Sequence, residues 1–114
     1  MLALQQQEIE PNLYLVVASG RMMIGTGAEK IEEVVRELVD KGAKAILFDM
    51  SGVTHLDSTG IGRFISSLTV AMQSGARLAF AGATPTVRTA FHVTRLDTVF
   101  RFYEDKDTAV AALR

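Results

Sequence analysis

Cysteine and tryptophan are absent from the 114 residues, and there are only two histidines and two prolines. Without thiols the chain can build neither a disulfide framework nor a thiolate metal centre, and it has no cysteine nucleophile. His55 and His92 are too few for a metal site at their spacing, so each reads as an ordinary surface or partly buried side chain. No apolar run approaches the ~20 residues that span a bilayer. The opening Met-Leu-Ala-Leu-Gln-Gln-Gln lacks the basic and apolar regions of a signal peptide, which makes the cytoplasm the expected compartment, with no membrane insertion. Charge of one sign is missing too. Twelve Lys and Arg against 13 Asp and Glu leave a net charge of −1, with the basic residues scattered singly, so no nucleic-acid footprint exists. Gly20, Gly25 and Thr26 have a superficial P-loop look but lack the lysine that reaches the phosphates. No cofactor is implied.

What remains is an ordinary core-forming composition, 48% hydrophobic, in a length that fits one domain, 1–114. Leu2 to Glu8 and Leu13 to Ser19 flank the turn Glu10-Pro11-Asn12 and predict an antiparallel hairpin. Gly20 to Gly27 reads as a flexible connection rich in Met and Gly. Thr26 and Glu29 have capping-box spacing before a helix with Ile31, Val34, Val35 and Leu38 on one face, closed by Gly42. Ala45 to Phe48 is a short buried strand, and a helix with Ile61, Ile65, Leu68 and Met72 as its apolar stripe follows, ending at Gly75. Arg77 to Ala81 is a strand. Thr84-Pro85 opens a helix to about Val93, Val99 to Phe102 is a last strand, and Asp105 caps a helix that turns Ala109, Val110 and Leu113 inward. The pattern is α/β: a mixed, mostly parallel sheet opened by a hairpin, with about four helices and its ligand or partner surface at the carboxyl ends of the strands.

The stretch Asp49-Met-Ser-Gly-Val-Thr-His-Leu-Asp-Ser-Thr-Gly-Ile-Gly62 lies at that edge, between strand and helix. Asp49 reads as the strand-end residue that organises the loop through side-chain hydrogen bonds. Asp57, Ser58 and Thr59 are all N-cap formers. A hydroxyl at the mouth of a helix is an accessible place for a phosphate, because bare amides and the helix dipole favour negative charge there.

Residues 48–62 resemble the signature of STAS domains, and most closely that of bacterial anti-sigma factor antagonists. The resemblance continues through Gly75 to Gly82, Thr84 to Arg88 and Leu96 to Phe100, and so covers roughly residues 13–113. It implies a STAS-like single domain that switches rather than catalyses. Such a domain, unphosphorylated, binds an anti-sigma factor and thereby frees a sigma factor. The anti-sigma factor is also a serine kinase of histidine-kinase-like ATPase fold, and it phosphorylates the serine matching Ser58. A PP2C-like phosphatase resets the switch. The partner surface then comprises Asp57, Ser58, Thr59, Gly60, Ile61 and Gly62, with Arg21, Met22 and Met23 beside them. Relatives often carry acids where this chain has Gly20-Arg21-Met22-Met23, a departure that alters the charge next to the serine and offers Arg21 as a bidentate partner for a phosphate.

Plainer readings stand beside these. Ser58 or Asp57 can serve only as a helix cap, worth ~1 kcal/mol, and Thr59 as a structural hydroxyl. Gly60 and Gly62 each cost a helix ~1 kcal/mol against Ala, which argues for close approach by a partner backbone. Met22, Met23 and Met72 suit core filling as well as docking. Two further classes are a STAS scaffold module in a stress-sensing or lipid-transport complex, docking without phosphorylation, and a small nucleotide-binding domain or enzyme. The last would need a base for Ser58, and only His55 is near in sequence.

Overall fold

The alternation of large apolar residues along three strands decides the architecture. Tyr14, Val16 and Ala18, Ile46, Phe48 and Met50, and Leu78 and Phe80 fall on one face of a sheet, while Leu13 and Leu15, Ala45 and Leu47, and Ala79 and Ala81 fall on the other. A sheet apolar on both faces must be covered on both. The computed structural model describes all 114 residues and shows how. The elements are β1 (Ala3–Glu10), β2 (Leu13–Met22), α1 (Glu29–Asp40), β3 (Ala45–Leu56), α2 (Ser58–Gln73), β4 (Arg77–Ala81), α3 (Pro85–Val93), β5 (Arg101–Tyr103) and α4 (Lys106–Leu113). The five strands lie in sequence order; β1 and β2 are antiparallel and all other neighbours are parallel. Helices α1, α2 and α3 bury Ile31, Val35, Leu38, Phe64, Ala71, Val87 and Phe91 against the first face. Helix α4 alone covers the second, through Ala109, Val110 and Leu113.

The predicted hairpin forms, with Asn12 at φ 65° where the turn needs a left-handed residue. The Asn12 carbonyl also accepts from the Lys44 and Ala45 amides, which fixes the start of β3 against the turn. Thr84 and Asp105 cap α3 and α4 as expected, accepting from the amides of Val87 and Thr108. Thr26 does not cap α1. That helix begins at Glu29 without a side-chain cap, because the Thr26 hydroxyl is spent on the preceding turn.

Two strands run further than their apolar runs suggest. β2 continues through Gly20, Arg21 and Met22, so this stretch is strand and not flexible connection, and β3 continues past Asp49 to Leu56. They stay paired through register shifts at Val17/Ser19 and Gly20/Arg21. Gly20, at φ 99°, is obligatory there: a Cβ would lie 2.2 Å from the Met1 carbonyl oxygen. β4 stops pairing at Asp49↔Ala81, so the end of β3, paired only with β2, and the entry to α2 project beyond the sheet's centre. β5 starts at Arg101, two residues later than Val99.

Helix α2 turns a different face inward from the predicted stripe. Phe64, Ser67 and Ala71 are fully buried with Ile61, whereas Ile65 is 44% and Met72 68% exposed. The bulkiest ring wins the core. Phe64 meets Phe48 and Phe80 edge-on, and Ser67 is harmless in the interior because its hydroxyl donates to the Arg63 carbonyl at 2.7 Å.

Phe80 is the hub of this cluster, with ring centroids of Phe48, Phe64, Phe91, Phe100 and Phe102 between 4.8 and 6.2 Å away. Phe80→Ala is expected to cost about 3–5 kcal/mol in urea unfolding, and Met72→Ala to stay within about 0.5 kcal/mol of the parent. Equal losses in the two variants would place Met72 in the core.

Candidate functional site

Strand β3 delivers the chain to Asp57, an extended residue at φ −112°, ψ −175°, and α2 starts at the next residue. Asp57 is the cap. Its Oδ1 accepts from the Thr59 amide at 2.9 Å and the Gly60 amide at 3.2 Å, and its Oδ2 accepts from the Ile24 amide at 3.0 Å. One carboxylate thus starts the helix and holds the loop after β2. Desolvation pushes its pKa up, but the amides of Ile24, Gly60 and Thr59 outweigh this and keep it below the ordinary 3.8.

The loop is locked from its other side by Thr26. Its hydroxyl accepts from the Met23 amide at 3.0 Å and lies 2.7 and 2.8 Å from the Arg21 and Met23 carbonyls, donating to one of them at a time. The Asp57 amide donates to the Met22 carbonyl and the Leu2 amide to the Thr26 carbonyl, so β1, the loop and the α2 entrance are stitched together. Ile24 is left 78% exposed at the tip.

Ser58 occupies the first helical position and is exposed, and its hydroxyl makes no hydrogen bond within the chain. It is therefore not a cap. The amides of Thr59 and Gly60 are not bare either, since Asp57 fills them; a phosphate on Ser58 would project into solvent beside that carboxylate. Nor is there a nucleophile–base pair: the His55 Nδ1 lies 2.9 Å from the Thr54 hydroxyl, with no contact to Ser58. Asp49 sits within β3, not at its end, but does order its surroundings: its Oδ1 accepts from the Ser51 amide and hydroxyl at 3.0 and 2.7 Å.

The other sequence candidates divide into surface and interior. Arg21 is exposed and paired in register with His55, also exposed, three residues before Ser58. Met23 and Thr59 are half-buried and Gly62 is exposed. Met22 and Ile61 are not surface residues. Met22 is completely buried under the loop and Ile61 is 7% exposed, so both belong to the core and cannot touch a partner directly. Gly60 is buried as well. A Cβ there would come 2.4 Å from the Met22 carbonyl oxygen and 2.6 Å from Leu56 Cδ1, so this glycine serves close packing inside the domain and not the approach of a partner. A Cβ at Gly62 would meet nothing within 4 Å.

From Ser58, positions 62, 65, 69 and 72 follow at helical spacing along one line of α2. Gly62, Ile65, Thr69 and Met72 are all exposed, and none is charged. Sequence reasoning missed this row because it set Ile65 and Met72 in the inward apolar stripe, with docking left open for Met72 alone; Phe64, Ser67 and Ala71, at the same spacing, were the signal for the competing face. Arg63 at its margin is turned toward Glu32 of α1, 3.7 Å away.

Comparison with known proteins agrees with the geometry. A family model for the STAS domain matches residues 5–109. An anti-sigma-B factor antagonist of Staphylococcus aureus (strain NCTC 8325) is 28% identical over 87 residues, 76% of this chain and 80% of the relative. Among solved structures, a putative anti-sigma factor antagonist from Thermotoga maritima superposes with a TM-score of 0.87 at 20% identity, over 97% of this chain and 94% of the other. The anti-sigma factor antagonist SpoIIAA in its unphosphorylated form superposes at 0.84, with 18% identity and 98% and 96% coverage. The phosphorylated form of Bacillus SpoIIAA gives 0.76 at 18% identity, over 98% of this chain and all of the other. At these identities the structures share the fold.

The two glycines of α2 separate packing from access. Gly60→Ala is expected to destabilise by about 1–3 kcal/mol through overpacking, and Gly62→Ala to stabilise by up to about 1 kcal/mol through helix propensity, both read from denaturant midpoints. Asp57 adds a pH dependence. Because its folded pKa is depressed, its contribution is complete above the unfolded value near 3.8 and is lost as pH falls through the lower folded value. Asp57→Asn, which keeps one acceptor oxygen, should flatten that acid limb; an unchanged limb would show that other carboxylates set it.

Proposed function

This chain belongs to the STAS domain family, and from that premise we propose that it is a cytoplasmic anti-sigma factor antagonist whose docking surface is switched at Ser58. The observation that carries the reading is the free Ser58 hydroxyl at the head of an exposed, uncharged row on α2, in a sequence whose S. aureus relative is named an anti-sigma-B factor antagonist. In its unphosphorylated state the row docks the anti-sigma factor, a serine kinase of histidine-kinase-like ATPase fold, and the sigma factor is released. ATP-dependent phosphorylation of Ser58 ends the complex, and a PP2C-like phosphatase restores it.

The chemistry of the site supports a switch that works by charge. A phosphoserine brings about −1.5 to −2 charges at pH 7. The Thr59 and Gly60 amides, which would absorb part of that charge, are held by Asp57, whose carboxylate is the adjacent residue's. The added charge therefore faces the partner, where an unmatched charge costs several kcal/mol. Each 1.4 kcal/mol is a tenfold loss in affinity. Gly62 leaves room for a partner backbone, and Ile24, Ile65 and Met72 supply the apolar contact. The register that sets Arg21 beside His55 supports a role for Arg21 in contacting the phosphate of the kinase's ATP.

The test is direct. Ser58→Ala should bind the anti-sigma factor as the parent does, while Ser58→Asp should bind about a hundredfold or more weakly, some 3 kcal/mol. Incubation with kinase and ATP should add one phosphoryl group to the parent and none to Ser58→Ala by intact mass. Equal binding by both variants, with no mass change, would favour a STAS scaffold module that docks without phosphorylation.

A further inference from the structure

The two edges of the sheet are built differently. β5 is three residues long and begins with Arg101, a short and charged edge of the kind that resists pairing. β1 is eight residues long and its first five, Ala3-Leu4-Gln5-Gln6-Gln7, contain neither charge nor proline. Its only irregularity lies at the far end, where the register shifts between Glu8 and Glu10. β2 occupies one side of β1 and nothing occupies the other, so the outward amides and carbonyls of β1 form an unguarded pairing template. We propose that β1 pairs with β1 of a second copy of this chain, antiparallel about a two-fold axis at Gln6, joining two five-stranded sheets into one.

The register follows from the side chains. A two-fold axis perpendicular to the sheet keeps each face on its own side, so only residues of the same parity can stand opposite each other. Centring on Gln6 uses the regular run from Leu4 to Glu8, short of the bulge at Ile9. It sets Leu4 opposite Glu8, Gln5 opposite Gln7 and Gln6 opposite itself. No like charges stand directly opposite each other across the ladder. Centring on Glu8 would oppose that carboxylate to its own copy and run the ladder into the bulge, and centring on Gln5 would leave Gln7 opposite Ala3 and Gln6 opposite Leu4, without amide partners. Gln5 and Gln7 are exposed and make no hydrogen bond in the chain, so the pairing gives each an amide partner across the strands. Gln6 lies over α1 instead, its Nε2 donating to Glu37 at 3.1 Å.

A groove of about 520 Å³ runs between β1 and α1, lined by Leu2, Leu4, Lys30, Glu33, Val34 and Glu37. Pairing sets Glu8 of the second copy, whose carboxylate accepts from its own Asn12 amide, opposite Leu4 at the margin of this groove, which carries Lys30 as well as the carboxylates of Glu33 and Glu37. The start of β1 lies beside the Thr26 turn, so the two-fold places the two Ser58 patches toward opposite ends of the joined sheet and leaves both open. A single edge ladder is at the small end of specific interfaces, and the association is accordingly weak and concentration-dependent.

The full chain in sedimentation equilibrium should move from monomer mass to twice that mass as concentration rises. Gln5→Lys with Gln7→Lys sets lysines opposite lysines and should abolish the dimer. Gln5→Lys with Gln7→Glu sets opposite charges across the same two pairs and should keep it. Thermal melts of the two variants check that both fold as the parent does. A parent that remains monomeric at every concentration, a doubly lysine-substituted variant that dimerises like the parent, or loss of the dimer in both variants would each overturn the proposal.

Discussion

Asp57 is the constraint on which the site depends. Its two oxygens satisfy three backbone amides, two in the first turn of α2 and one at Ile24, 33 residues before Asp57 in sequence, and no other side chain joins the β2 loop to α2 in this way. A carboxylate can do this where a serine or threonine cannot, because it offers two acceptor atoms and a full charge against the positive end of the helix. The consequence reaches Ser58. With the cap taken by its neighbour, the serine is free of structural duty, and its hydroxyl stands in solvent at the first turn of a firmly anchored helix. Gly60 belongs to the same arrangement, since only a residue without a Cβ lets α2 sit against the Met22 carbonyl that Asp57 also reaches through its own amide.

Much of this was legible beforehand, for reasons that vary with the element. β4, α3 and α4 begin where expected because their signals are local: an apolar run bounded by polar residues, Thr84 before Pro85, Asp105 before a helical pattern. The STAS-like motif pointed to the family for the same reason, being contiguous in sequence. Failures came where a competing partner, near or distant in sequence, outbid the expected one. Thr26 had capping-box spacing, yet the carbonyls of Arg21 and Met23 claimed its hydroxyl. β3 lost its apolar pattern at Asp49, yet β2 continued to pair with it through two register shifts. Two apolar stripes competed on α2, and only the position of Phe48 and Phe80 across the sheet decides for Phe64. The link from Asp57 to Ile24 has no sequence signature at all, because it depends on how the β2 loop folds back.

The exposed α2 row and the filled helix amides bear on the kind of switch this can be. In a domain where a new phosphate captured free amides at its own helix, part of the added charge would be neutralised within the fold, and the outside world would feel less of it. Here that route is narrowed, because Asp57 already holds the Thr59 and Gly60 amides and only the amide of Ser58 itself is left at the first turn. Relief from Arg21 would require its side chain to leave water and order itself over the α2 entrance, at a cost of up to about 2 kcal/mol in rotamer freedom. Under the proposed function, phosphorylation therefore changes the charge of the docking surface far more than its shape. The same reasoning assigns different work to the two ends of the row. Under that proposal Ser58 and the cap beside it would decide whether binding occurs, while Ile65 and Met72, more than one helical turn away, would contribute apolar area that is indifferent to phosphate except through the partner's rigid placement.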